Sequence, residues 1–343
     1  MIPSFICLIL PVTTLASTIQ PLNYILPSYT TADVTLATTI GHQAYDRPYV
    51  HPGNTTTYEW WYFDAISSDG ESSVVFQPIM YNVSVPVELL FQLVWPNATV
   101  KDIILGSNHR LYVSTRGDGS SGIGMADGGV FSWVGSQDAS EYTLKVDIPD
   151  EDISGTVTLF RTAPPHVACS ETCPDARLDL FWNLYWMNPV PDAVAIVDIK
   201  VGSDRLAFTR NGYHDKNWGP VYFANDLNQW YWGHGRASEY SIVWFYHLDI
   251  QDHITTSGYI AKDAQILWTA YPIMGTNNIS QIQGYKIDFD AGALGRFAFD
   301  FRKNRQVTKY SWYGRWIGTM SGGRVAEKNE SGVAVCEQMG PFF

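Results

Sequence analysis

The sequence predicts an all-β protein built from two similar halves. Three observations carry this prediction. Helical periodicity is almost absent along the chain. Short runs of alternating apolar and polar residues recur instead, punctuated by Gly, Asp and Asn, as at 73–77, 142–148, 155–161, 193–201, 241–250, 256–262, 285–290 and 296–302. The third is an internal echo. Ala44-Tyr45-Asp46 leads to Glu59-Trp60-Trp61-Tyr62-Phe63-Asp64, and Gly212-Tyr213-His214-Asp215 leads to Gln229-Trp230-Tyr231-Trp232-Gly233-His234, the second copy offset from the first by about 169 residues. This pattern fits sandwiches or barrels and argues against a parallel βαβ fold.

The chain of 343 residues is 45% hydrophobic, enough for a core in each of two domains. At the N-terminus, Ile2, Phe5, Ile6, Leu8, Ile9 and Leu10 form a short uncharged run, followed by the small residues Thr14 and Ala16. Residues 1–16 read as a cleaved signal peptide, although the usual Lys or Arg is missing from its start. The run is too short to span a bilayer, and no later stretch reaches the ~18 apolar residues a span needs. The Gly- and Ser-rich segment 118–129 and the Pro- and Cys-containing segment 162–175 read as loops. The halves are expected to divide near 203–211, giving an N-terminal β domain over 17–205 and a C-terminal β domain over 206–343.

Five N-x-Ser/Thr sequons, at Asn54, Asn82, Asn97, Asn278 and Asn329, agree with a secreted or secretory-lumen protein. Beyond the N-terminal segment three cysteines remain. One disulfide and one free thiol is the simplest arithmetic, joining Cys336 to either Cys169 or Cys173. The C-x3-C pair lacks a convincing fourth ligand, so no metal site is expected. A net charge of −12 repels phosphate backbones and argues against nucleic acid as a partner.

Aromatic residues make up 14% of the chain, rich enough for a ligand pocket as well as a core. In a strand, Glu59, Trp61 and Phe63 face one way, and Trp60, Tyr62 and Asp64 the other. Aromatics on both faces mean a strand covered on both sides. Glu59 and Asp64 then sit at the margins of an apolar site, where a carboxyl can hold a proton near neutral pH. The bland reading makes the Trp pair core. Further on, Trp230, Trp232, His234 and Arg236 share one strand face, with Tyr231, Gly233, Gly235 and Ala237 behind them. That face reads either as a pocket wall with polar groups at its mouth or as an Arg236 ion pair beside an exposed His234. Tyr213-His214-Asp215-Lys216-Asn217-Trp218-Gly219 reads either as a carboxylate-oriented general acid or base or as a turn tied by side-chain bonds. The sequence has no G-x-S-x-G elbow, P-loop, dinucleotide fingerprint or H-E-x-x-H motif.

Together, Glu59-Trp60-Trp61-Tyr62-Phe63-Asp64 and Gly212-Tyr213-His214-Asp215-Lys216-Asn217-Trp218-Gly219 resemble the hydroxyneurosporene synthase/AttH-like family. That family includes carotenoid hydratases, a secreted kievitone hydratase and the fungal Diels–Alderases. The resemblance spans about residues 45–316. It implies two lipocalin-like β domains packed together, a hydrophobic small-molecule substrate at their junction, and no metal or organic cofactor. Its concrete expectation is a hetero-Diels–Alder reaction. A hydroxymethyl tropolone loses water, and a humulene-type alkene captures the quinone methide. A secreted hydratase of the kievitone-hydratase kind is the alternative within the family, and a non-catalytic carrier of hydrophobic ligands is the alternative outside it. Under this expectation Trp61, Trp230, Trp232, Trp268, Trp312 and Trp316 shape the pocket. His234, Arg236 or Tyr62 donates a hydrogen bond to the substrate, and Glu59 or Asp215 supplies the acid.

Overall fold

The computed structural model describes residues 22–27, 30–42, 44–81, 87–107, 110–168, 170–173, 175–270, 273–275 and 283–340. The expected signal peptide lies outside them. The protein is all-β, as two curled antiparallel sheets that each form an open half-barrel, a tandem lipocalin-like arrangement. The first sheet has 15 strands and the second has nine. The first is organised around a long hairpin, Leu184–Val201 with Asp204–Gly219, whose turn uses the left-handed backbone of Gly202 (φ 57°). The Tyr58–Ile66 strand pairs with the outer arm of this hairpin, placing Trp60 opposite Asn217, Trp61 opposite Lys216 and Tyr62 opposite Asp215. In the second sheet Leu227–Ala237 lies between Tyr240–Asp249 and Glu330–Met339.

The chain changes sheets later than the expected domain boundary. Asp204–Gly219 belongs wholly to the first sheet, and the second begins at Leu227, so the chain changes sheets across 220–226. A boundary at 205/206 would cut a strand that is paired on both sides. The echo is likewise only partial. Ala44-Tyr45-Asp46 lies in turns and Gly212-Tyr213-His214-Asp215 in a strand, and the two meet: His214 Nε2 lies 3.4 Å from Asp46 Oδ2.

Every residue of Tyr58–Ile66 is buried. Trp61, Phe63 and Ala65 enter the core of the first barrel, while Tyr58, Trp60 and Tyr62 enter an aromatic layer between the sheets. The paired strand divides in the same way, with Trp218 in the barrel and Tyr213 in the layer. Leu227–Ala237 repeats the division from the other side: Tyr231 and Ala237 pack in the second barrel, and Trp230 and Trp232 in the layer. At Gly233 a Cβ would lie 2.2 Å from the Trp244 ring, so the absent side chain lets that indole cross the strand.

Inside the first barrel Lys216 Nζ lies 2.7 Å from Glu59 Oε1, and both side chains are fully buried. Glu59 also accepts from the backbone N–H groups of Tyr49 and Val50, and Lys216 donates to the carbonyl of Arg47. The pair therefore fastens the 45–50 segment to two core strands. Cys173 is exposed and Cys336 is buried among the residues of the second barrel, and both are free thiols. This corrects the disulfide expected at Cys336, which is enclosed with Tyr285 and Trp244; Cys169 lies outside the described residues. Of the sequons, Asn97 and Asn329 are exposed and Asn54 is partly buried, its side chain tied to Thr56 and Thr57. Asn82 and Asn278 lie outside the described residues. Among the described residues no helix is long and apolar enough to cross a membrane.

Removing one member of the Lys216–Glu59 pair strands a buried charge. Glu59→Gln should lower stability in urea by about 3–5 kcal/mol. The double variant Glu59→Gln/Lys216→Met should recover most of that loss.

Candidate active site between the two sheets

A large cavity opens into the aromatic layer, with about 930 Å³ of empty space counting its mouth. Its walls come from both sheets. Trp60 and Tyr62 stand on one side, Trp230 and Trp232 on the other, with Phe223 and Tyr313 between them and Tyr81, Tyr310 and Trp312 at the rim. The Tyr62 and Trp232 rings meet edge to face at 5.3 Å. Polar groups are few: Gln77, Glu88, Asp215, Asn217 and Glu337.

Strand alternation explains why Asp215 reaches this cavity. Tyr213, Asp215 and Asn217 project into the layer, whereas His214, Lys216 and Trp218 project into the first barrel. Asp215 is 3% exposed. Its Oδ2 accepts from Trp186 Nε1 and from the Tyr213 hydroxyl, each at 2.8 Å. No cation is paired with it among the described residues. Burial therefore drives its pKa well above the usual carboxylate range, against the two hydrogen bonds, and the negative charges of Glu337 and Asp64 push the same way.

Glu337 is the second acid. It sits on Glu330–Met339 opposite Trp232, and its Oε1 accepts from the Tyr313 hydroxyl at 2.7 Å. Burial raises its pKa to about 7; the Tyr313 bond and the Arg315 guanidinium only partly oppose this. No motif marks Glu337. The available signal was a lone carboxylate in the otherwise uncharged stretch 331–339.

Beneath the cavity lies a third carboxyl of opposite character. Asp64 Oδ2 accepts from the Tyr62 hydroxyl at 2.8 Å and from Arg315 Nη2 at 3.2 Å, and His234 Nε2 lies 3.0 Å from both Asp64 oxygens. Burial alone would raise its pKa, but His234 and Arg315 outweigh it and leave Asp64 below the usual range. The Asp64–His234–Arg315 cluster thus joins the first sheet to the second and fixes Tyr62 in the wall.

Of the expected site residues, Tyr62, Trp230, Trp232, Trp312 and Asp215 line the cavity. His234 lies in the layer beneath, stacked on Tyr213 at 4.1 Å. The structure moves four others. Glu59 and Trp61 face the first barrel, because odd-numbered residues of that strand point away from the layer. Trp316 packs against the second barrel's core under the Lys303 ammonium, 3.7 Å from its ring. Arg236 ion-pairs with Asp192 at 2.6 Å and bonds Thr162, so it clasps the two sheets outside the cavity. Trp268 pairs with Ile260 through its backbone, and its side chain lies outside the described residues. His214 is also structural, stacked on Phe63 at 3.8 Å in the first barrel. Among the described residues no group of three His, Cys, Asp or Glu side chains is placed to hold a metal ion.

The sequence profile of the Diels-Alderase-like family matches residues 16–271. The chain belongs to this family. Among its relatives is the quinolone epoxide rearrangement protein asqO of Emericella nidulans, 29% identical over 320 residues that cover 85% of this chain and 86% of that one. The crystal structure of CghA superimposes with a TM-score of 0.80 at 16% identity, covering 93% of this chain and 98% of that chain. Kievitone hydratase from Nectria haematococca shares the fold more loosely, with a TM-score of 0.55 at 13% identity over 91% of this chain and 95% of that one. This Diels-Alderase-like protein therefore belongs to a family that acts on secondary-metabolite small molecules.

Glu337 makes a signed prediction. Its folded pKa, about 7, lies above its ordinary value of 4.5, so between those limits the folded state binds the extra proton. Its contribution to stability should be fully present below pH ~4.5 and fall as pH rises to ~7, by at most about 1.4 kcal/mol per pH unit. Glu337→Gln should flatten that part of the stability profile measured in urea.

Proposed function

We propose that this protein is an acid-assisted rearrangement enzyme for an apolar, oxygen-bearing secondary metabolite. The observation that carries the reading is Asp215, a buried carboxyl with no paired cation among the described residues, set in the wall of an aromatic cavity. A carboxyl kept protonated near neutral pH can protonate a strained ether or epoxide oxygen. The C–O bond then breaks towards oxygen, leaving a hydroxyl group and an electron-poor carbon. An internal nucleophile or alkene of the same substrate forms the new bond, and the intermediate returns a proton to Asp215. Substrate and product have the same formula. Trp60, Trp230 and Trp232 hold the reacting ends together, and such orientation can contribute up to about 7–11 kcal/mol to rate. Tyr62, whose proton is committed to Asp64, is one fixed polar point on that wall.

A relative named for quinolone epoxide rearrangement favours this one-substrate chemistry as the leading class. The hetero-Diels–Alder union of a tropolone quinone methide with a humulene-type alkene would use the same acid for loss of water, and it stands as the second reading. Secretion is part of the proposal, with Asn97 and Asn329 as the accessible glycan acceptors. Protein secreted from a fungal host should lose mass on endoglycosidase treatment.

The direct test is incubation with a quinolone epoxide, read by mass spectrometry. A new product of unchanged mass supports rearrangement, and a gain of one water identifies a hydratase. Asp215→Asn should slow turnover by about 10²–10⁴-fold, whereas Trp232→Ala should first spoil the product ratio. Full activity in a folded Asp215→Asn variant would remove Asp215 from the mechanism.

A further inference from the structure

The same two strands present two aromatic boxes, one on each face. On the barrel face, the Lys216 ammonium lies 4.1 Å from the centre of the Trp61 ring, 5.2 Å from Tyr49 and 5.6 Å from Trp218. Glu59 closes that box at 2.7 Å. The chain has placed a cation against aromatic faces and capped it with a carboxylate, a recognised way of holding an organic ammonium out of water. On the cavity face the neighbouring residues repeat the wall chemistry. Trp60 and Tyr62 take the place of Trp61, with Trp230 and Trp232 across from them, and Asp215 and Glu337 take the place of Glu59. Among the described residues no Lys, Arg or His lines this cavity. Arg315 lies just behind it, with its guanidinium committed to Asp64 and Gln92.

The geometry points to a cation cage that the chain leaves for its ligand to fill: the cavity selects an apolar molecule carrying a positively charged nitrogen over its neutral or anionic analogues. The ring faces are electron-rich, the acids that line the cavity, Glu88, Asp215 and Glu337, can ionise beside a ligand cation, and the net charge of −12 favours its approach. This inference rests on reading the cavity as the ligand site, but not on the reaction assigned to Asp215.

It also carries a thermodynamic signature. Glu337 is faced by Tyr313 and Arg315 from one neighbouring strand, by Tyr62 and Asp64 from the first sheet, and by Asp215 from the hairpin arm. Only Arg315 among these is a fixed cation, and it is already opposed by Asp64. A ligand cation in the cavity therefore favours ionised carboxyl, and by linkage binding must release protons. With Glu337 at about 7 in the free protein, affinity should rise with pH up to about 7, and Asp215, also held well above its ordinary range, would carry any further rise.

The test uses the full-length protein with benzyltrimethylammonium, its uncharged isostere neopentylbenzene, and phenylacetate. Affinities are read from tryptophan fluorescence, and proton release from calorimetry in two buffers of different ionisation enthalpy. The ammonium should bind at least about tenfold tighter than the isostere, with proton release near pH 6.5 that diminishes in Glu337→Gln. Equal affinity for ammonium and isostere, or tighter binding of phenylacetate, would overturn the cage. So would an ammonium preference unchanged in the folded triple variant Glu88→Gln/Asp215→Asn/Glu337→Gln, since the cation would then lie elsewhere. Failure of all three probes to bind would instead overturn the cavity as the ligand site, and the cage with it.

Discussion

A strand covered on both faces has to sort its side chains with period two, and the rest of this molecule depends on how Tyr58–Ile66 and Asp204–Gly219 do so. Their register is fixed by continuous pairing, so a one-residue slip would send Lys216 and Glu59 into the layer and Asp215 into the core of the first barrel. The Lys216–Glu59 pair resists that slip, because each buried charge would lose its 2.7 Å partner. Barrel core, inter-sheet layer and cavity wall all follow from this one alternation.

The same alternation sorts charge. Three buried carboxyls lie close together between the sheets, yet they behave differently. Asp64 has His234 and Arg315 and stays ionised, while Asp215 and Glu337 have aromatic neighbours and hydroxyl or indole donors and hold their protons more tightly. A site with an ionised anchor below and neutral acids above can fix a wall residue and still keep a proton for the ligand. The first role needs cations nearby, the second needs their absence, and the two sheets supply these conditions on adjacent residues.

The all-β class and the two-sheet plan were legible because period-two alternation and the scarcity of helical pattern are local properties. The faces of 229–237 were also legible, and Trp230 and Trp232 lie on the cavity side as that pattern expects. Which face of 59–64 meets the cavity was not. Both faces are aromatic, and only the partner strands decide which becomes barrel and which becomes layer. From the sequence Trp61 and Glu59 therefore read as site residues, whereas Trp60 is the wall residue. Arg236 looked like a pocket group because the sequence cannot show Asp192 waiting 2.6 Å away. Glu337 carried no motif, and its importance comes from long-range contacts with Tyr313, Arg315 and Asp64. The internal echo misled in a different way: two segments that resembled each other as repeats turned out to touch, His214 against Asp46.

The cavity's rim and floor are built differently. Its floor is tied by Asp64, His234 and Arg315 across both sheets, so a change there disturbs the whole junction. Its rim is Tyr81, Tyr310 and Trp312, which stand at strand ends and carry none of those ties; Trp312 is 43% exposed. Mutations at the rim can therefore accumulate at little cost to folding while the acids below remain unchanged. Descendants of one such protein would then diverge in which molecule they admit sooner than in what they do to it.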